Sequence, residues 1–136
     1  MMESLIINID VPDLTKGVAL YCAGLGFTRA RSLFGGSVVE LRSAAGAIFL
    51  IEQSAGSLPI PTMPIQRDYA PHWTPVHLDL PVTNLDVAVA KATAAGATNS
   101  GPVTSQIFGQ LAPMRDPFGH GFCLIEFNSD AYDAIS

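Results

Sequence analysis

The sequence is poor in positive charge. Seven Lys and Arg residues stand against twelve Asp and Glu, for a formal net charge of −5. Lys16, Arg29, Arg31, Arg42, Arg67, Lys91 and Arg115 are scattered and form no stripe, so a nucleic-acid groove is excluded. Cysteine is scarce as well. Cys22 and Cys123 are too few for the dense disulfide framework of a small secreted domain, and both are expected to be reduced thiols of a cytoplasmic protein. No apolar run approaches the roughly 20 residues that span a membrane. The start MMESLIINID has an early acidic residue and a short apolar run, unlike a signal or transit peptide.

Apolar residues, by contrast, make up 49% of the chain and charged ones 14%, which excludes disorder except at the ends. A length of 136 residues suits one domain, 1–136, with a sizeable core.

LIINIDV (5–11) alternates at period two and predicts a strand. Pro12-Asp13 opens a helix with Leu14, Val18 and Tyr21 at helical spacing, stopped by Gly24 and Gly26. Strands are expected at 27–34, 37–42 and 47–53, with Gly35-Gly36 as a hairpin turn. The segment 54–73 is rich in Ser, Gly and Pro and holds Arg67, Tyr69, His72 and Trp73. It reads as a linker or a lid loop. A strand then starts again at 76–82. Asn84 is placed to cap an Ala-rich helix that ends at Gly96. A weak strand or turn (97–105), a strand interrupted by Gly109 and Pro113, and a last strand at 120–127 follow. The tail, 129–136, is expected to form a short helix or to fray.

The order is therefore βαβββ, a loop, and βαβββ again: modules 1–53 and 74–128 joined by 54–73. Residues repeat too. Counting back from Asp13-Leu14 and Asn84-Leu85 sets Ile6 on His77 and Asn8 on Asp79. RSAAGAIFLIEQ (42–53) and RDPFGHGFCLIEF (115–127) both open on Arg and carry Leu-Ile-Glu. Matching their glycines sets Gly46 on Gly119, Phe49 on Phe122 and Leu50 on Cys123. The predicted class is α+β: two tandem modules forming a curled mixed sheet, with the helices outside and a trough within. One strand face buries against the helix. The other is expected to carry Asn8, Asp10, Leu50, Glu52, His77, Asp79 and Cys123 and to line the trough, a natural small-molecule site.

VPDLTKGVALYCAGLGF (11–27), VHLDLPVTNLDVAVAKATAAGA (76–97) and DPFGHGFCLIEF (116–127) resemble the vicinal oxygen chelate superfamily: glyoxalases, bleomycin-resistance proteins and extradiol dioxygenases. The resemblance covers nearly the whole chain, 54–73 least. It implies divalent-metal ligands, usually His and Glu, on the first and last strand of each module. Those positions fall on Ile6, Leu50, His77 and Cys123. Isoleucine and leucine donate nothing, so the usual metal site is expected to be missing and no cofactor is expected. The alternative is a divalent metal held by His77 and Cys123 with Glu52, or with Asp79 as a Zn site. The resemblance also implies a homodimer.

Single residues carry two readings each. Cys123 is expected to be a small apolar filler, and His77 a pocket-lining polar residue. Trp73 suits stacking on a flat ligand or pinning the loop. Tyr69 and Arg67 suit ligand contact or solvent. Asn8 and Asp79 are ligand contacts or hydrated polar groups. Arg115 and Asp116 are expected to shape the turn, and His120 to be structural or exposed. The expected function is a small-molecule-binding protein of this superfamily, with Ile6, Asn8, Leu50, Tyr69, Trp73, His77, Asp79 and Cys123 around a partly apolar ligand in the trough. The alternative is a metal-dependent lyase or dioxygenase. Whether bonds are made stays open, because this fold hosts several chemistries.

Overall fold

A computed structural model describes residues 5–44, 46–72 and 74–136. The chain divides into two compact units, Met1–Ala70 and Pro71–Ser136. The first unit holds β1 (Ile7–Val11), α1 (Leu14–Val18), β2 (Thr28–Leu33), β3 (Val38–Ser43) and β4 (Gly46–Glu52). The second holds β5 (Leu78–Pro81), α2 (Leu85–Ala94), β6 (Thr98–Asn99), β7 (Thr104–Gln106), β8 (Gly109–Arg115) and β9 (Gly121–Phe127). Each makes one open mixed sheet, ordered β1-β4-β3-β2 and β5-β9-β8-β6, with β7 also on β8. The first strand of each unit runs parallel to its last, as a strand–helix–strand crossover requires. The class is α+β, with two tandem modules.

The predicted helix starts are found. The Asp13 side chain accepts from Lys16 N, and that of Asn84 from Val87 N, each satisfying an orphan donor of the first turn. α1 is shorter than predicted. It passes into a π-helical turn, Ala19–Gly24, before Gly26 leaves the helix at φ +83°. Pro113 does not break its strand but lies inside β8. Its carbonyl accepts from Ser100 N, so its missing N–H faces that side and no ladder bond to β9 is lost. The tail forms a short 3₁₀ turn, Ala131–Ile135, pinned where Tyr132 packs edge-on against Phe108 and Phe127.

The segment after β4 is held to the first unit. Gly56 N donates to Arg67 O and Arg67 N to Ser57 O, both at 2.8 Å, closing a loop. Arg67 Nε donates to Asp10 Oδ2 on β1 at 2.8 Å, and the Tyr69 hydroxyl to the Gln53 carbonyl at 2.7 Å.

Pairing across the sheets overturns part of the expected register. Residues paired directly across strands share a face. Leu50 pairs with Ile9 and with Val39, and is fully buried with Val11, Leu20, Leu41 and Ile48 in the core. Glu52 pairs with Val11, on that same face. Leu50 and Glu52 therefore do not share a face with Asn8 and Asp10, whose partners are Phe49 and Ile51. In the second unit Asp79 pairs with Cys123. Phe49, not Leu50, is thus the counterpart of Cys123. Leu50-Ile51-Glu52 falls on Leu124-Ile125-Glu126.

The cause is loop length. Arg42 pairs with Ala47 but Arg115 with Gly121, so the second connection is one residue longer. Matching the two glycines carried that extra residue into the strand, where one step exchanges the faces. Glu126 fixes the orientation: its Oε1 accepts from Leu85 N at 2.8 Å, at the first residue of α2. Phe122, Leu124 and Glu126 therefore face the helix.

Candidate functional site

The other face of the second sheet carries the site. Its rows follow from the pairing: Asp79–Cys123–Pro113, and beside it Gly121–Arg115. His77 lies one residue before β5 and extends the second row, on the side of Asp79. Its Nε2 is 3.2 Å from Asp79 Oδ1. A cavity of about 280 Å³ opens here, lined by His77, Ser100, Pro113, Arg115, Gly121 and Cys123 among others. His72 and Thr74, on the segment entering β5, also line it.

Gly121 makes the room. A Cβ built on it would meet no atom within 4 Å, so the floor between His77 and Arg115 is open. Asp116 closes the neighbouring turn. It is buried, and its Oδ1 accepts from Phe118 N at 2.8 Å and His120 N at 2.9 Å. The expectation for Arg115 fails. Its side chain takes no part in that turn; it lines the cavity and has no hydrogen bond or ion pair among the described residues.

Cys123 is half-buried, and its thiol is pushed above its ordinary pKa. Burial is the main cause, followed by the Asp79 charge and a hydrogen bond to the Asp79 carboxylate, all favouring the protonated form. A ring nitrogen of His77, an Asp79 oxygen and Cys123 Sγ lie within 4.8 Å of one another. One imidazole, one carboxylate and one thiolate fit a borderline-soft ion such as Zn²⁺, after the thiol proton leaves. The set suits an all-oxygen ion poorly. The first unit offers no such group at the matching positions, which are Ile6, Asn8 and Phe49.

Of the expected site residues, His77 and Cys123 line the cavity and Asp79 bonds to His77. Ile6, Asn8, Leu50 and Tyr69 are in the first unit. Ile6 is exposed just before β1, Asn8 is exposed on β1, Leu50 is core, and Tyr69 is committed to Gln53. Trp73 lies outside the described residues. Glu52 is in the first unit, on the helix side of its sheet; the possible donors that lie together are His77, Asp79 and Cys123. Ser100 and Arg115 were missed. The repeat held a signal for Arg115, because Arg42 and Arg115 open the two matching hairpins.

A family model described as a glyoxalase-like domain matches residues 6–125. The chain belongs to this family. No curated protein matches the glyoxalase-like chain. Among solved structures it is similar to a hypothetical protein, SA1046, of S. aureus, at 24% identity, covering 93% of this chain and 98% of that one with a TM-score of 0.70. It is also similar to the fosfomycin resistance protein FosX of Listeria monocytogenes, solved as a mutant with Mn(II) and a dihydroxypropylphosphonic acid. There the identity is 18%, the coverage 96% and 94%, and the TM-score 0.71. A glyoxalase/bleomycin resistance protein of Albidiferax ferrireducens matches at 22% identity, 90% and 97% coverage and a TM-score of 0.64. At these identities the likeness is one of fold, and the glyoxalase-like domain must be read chemically from its own residues.

Proposed function

We propose that this glyoxalase-like domain binds a small, partly apolar molecule in the cavity of its second unit. The observation that carries this reading is the cavity itself: about 280 Å³, at the end of the sheet that bears His77 and Cys123. Its size is just below the range of about 300–1,000 Å³ for drug-sized ligands, which favours a compact molecule. Thermal unfolding of the purified chain across a panel of small polar and apolar compounds tests it. A binder at 100 times its Kd should add about 2.7 kcal/mol of stability. A broad panel without a single shift would count against the reading.

One observation favours a second reading. The His77, Asp79 and Cys123 donors are close enough to converge on one ion. These residues would hold Zn²⁺, which when bound would supply a Lewis acid for a substrate oxygen, as a lyase of this superfamily would require. The protein's own part would be to bring the three donors together and to release the Cys123 proton. Elemental analysis of protein purified without chelator or metal-binding tag separates the readings. One ion per chain, lost in Cys123→Ser and His77→Ala, supports the second. No ion, and none taken up when Zn²⁺ is added, leaves the first.

A further inference from the structure

The two units are copies, so each serves as a control for the other. Arg42 of β3 corresponds to Arg115 of β8, because each pairs with the residue two before the matched Phe49 and Cys123. Two residues earlier, Glu40 corresponds to Pro113. In the first unit the arginine is neutralised from within. Glu40 Oε2 accepts from Arg42 Nε at 2.6 Å, and its other oxygen from Arg31 Nε at 3.1 Å. The Glu40 side chain is 2% exposed. In the second unit the carboxylate is gone and a ring without charge stands in its place. Arg115 there has no ion pair among the described residues and faces a cavity. The residue across the pair is Ala47 in the first unit but Gly121 in the second, which opens the floor beside the guanidinium.

We infer that the second unit's cavity takes a small organic carboxylate, whose charged group supplies to Arg115 what Glu40 supplies to Arg42. This rests on the reading of that cavity as a binding site and adds the class of its ligand. Arg is suited to the task, since its planar fork matches a carboxylate bidentately. Ser100, which also lines the cavity, offers a further polar group. Asp79 does not compete for the place. It lies in the next row, about 7 Å along the strand, and its charge is engaged by His77 and the Cys123 thiol. Pro113 and Cys123 are left for the apolar part of the ligand.

The test is an NMR titration of the full chain in metal-depleted buffer at constant ionic strength. The probes are acetate, propionate and benzoate, each against its amide of matching shape. The signals followed are the amides of Gly121, Phe122 and Cys123 and the Arg115 Nε–H. Each carboxylate should bind at least tenfold more tightly than its amide, as expected for a charge-assisted pair. Arg115→Gln should erase that preference. Pro113→Glu, which writes the first unit's pair into the second, should abolish carboxylate binding while the spectrum stays that of a folded protein. Should Pro113→Glu not fold, Arg115→Gln decides alone. Equal binding of acid and amide, or a preference that survives Arg115→Gln, overturns the inference and leaves the cavity reading intact. No shift with any acid or amide overturns both.

Discussion

The first sheet and the second share one strand order, with β7 added in the second, and differ in what the face away from the helix holds. On β3 of the first, Glu40 gathers Arg31 and Arg42 into a closed cluster. On β8 of the second, Pro113 and Arg115 border a cavity, and His77, Asp79 and Cys123 replace Ile6, Asn8 and Phe49. Backbone pairing kept the frame, while a few side chains differ: one copy pairs its arginine with Glu40, and the arginine of the other lines a cavity. The difference teaches where to look for chemistry in a duplicated fold: at the position where one copy has lost an internal partner.

The comparison stands on the register, and the largest effect tests it. Leu50→Ala should cost about 2–5 kcal/mol, since Leu50 is a fully buried core residue. Phe49→Ala, on the half-buried opposite face, should cost clearly less. Urea unfolding of both variants measures it, and the reverse order would mean that the faces are exchanged. Next comes the final Glu of each Leu-Ile-Glu. Glu126→Ala removes the acceptor for Leu85 N and should cost about 1 kcal/mol. Glu52→Ala, at an exposed site, should stay within about 0.5 kcal/mol. Equal losses would show that the copies use this residue alike.

A smaller effect concerns pH. Hydrogen bonding to Arg42, then to Arg31, holds the Glu40 carboxyl below its ordinary value of 4.5, against the pull of burial. A group whose pKa is depressed in the folded state contributes stability above its unfolded value, and that contribution is lost as pH falls through the folded one. The Tm gap between the native chain and Glu40→Gln should therefore be widest at neutral pH and close in acid. A gap that ignores pH would leave the cluster without an electrostatic role. The smallest effect lies at Cys123. Asp79→Asn removes a charge that favours the thiol and replaces one carboxylate oxygen by an N–H donor, so Cys123 should ionise at lower pH, although burial, the largest cause, still raises it. In a Cys22→Ser background, the pH midpoint of iodoacetamide alkylation should move down. An unmoved midpoint would place the effect in burial alone.

The sequence made the architecture legible because its signals were local. Asp13 and Asn84 marked two helix starts, and period-two alternation marked the strands. The pairing of strands was less legible, because it depends on how many residues each connection spends. One extra residue between Arg115 and Gly121 displaced Leu50 and Glu52 to the wrong face. Leu-Ile-Glu, present in both copies, held the right frame. At the site, His77 and Cys123 were visible, and Asp79 followed from alternation. Arg115 was hidden by its neighbour: Asp116 does shape the turn, and adjacency alone suggested that Arg115 did the same. Ser100 reaches the cavity through tertiary pairing that no short window contains.

The closure of residues 56–67 on the first unit has a further consequence. Arg67 is the sole Lys or Arg between Arg42 and Lys91, and its guanidinium is spent on Asp10, Ser57 and the Leu58 carbonyl. A trypsin-like protease needs that side chain in its specificity pocket. Within this stretch it can cut only in the moments when the loop lets go, so the rate of a single nick becomes a clock for one local opening, read without any label.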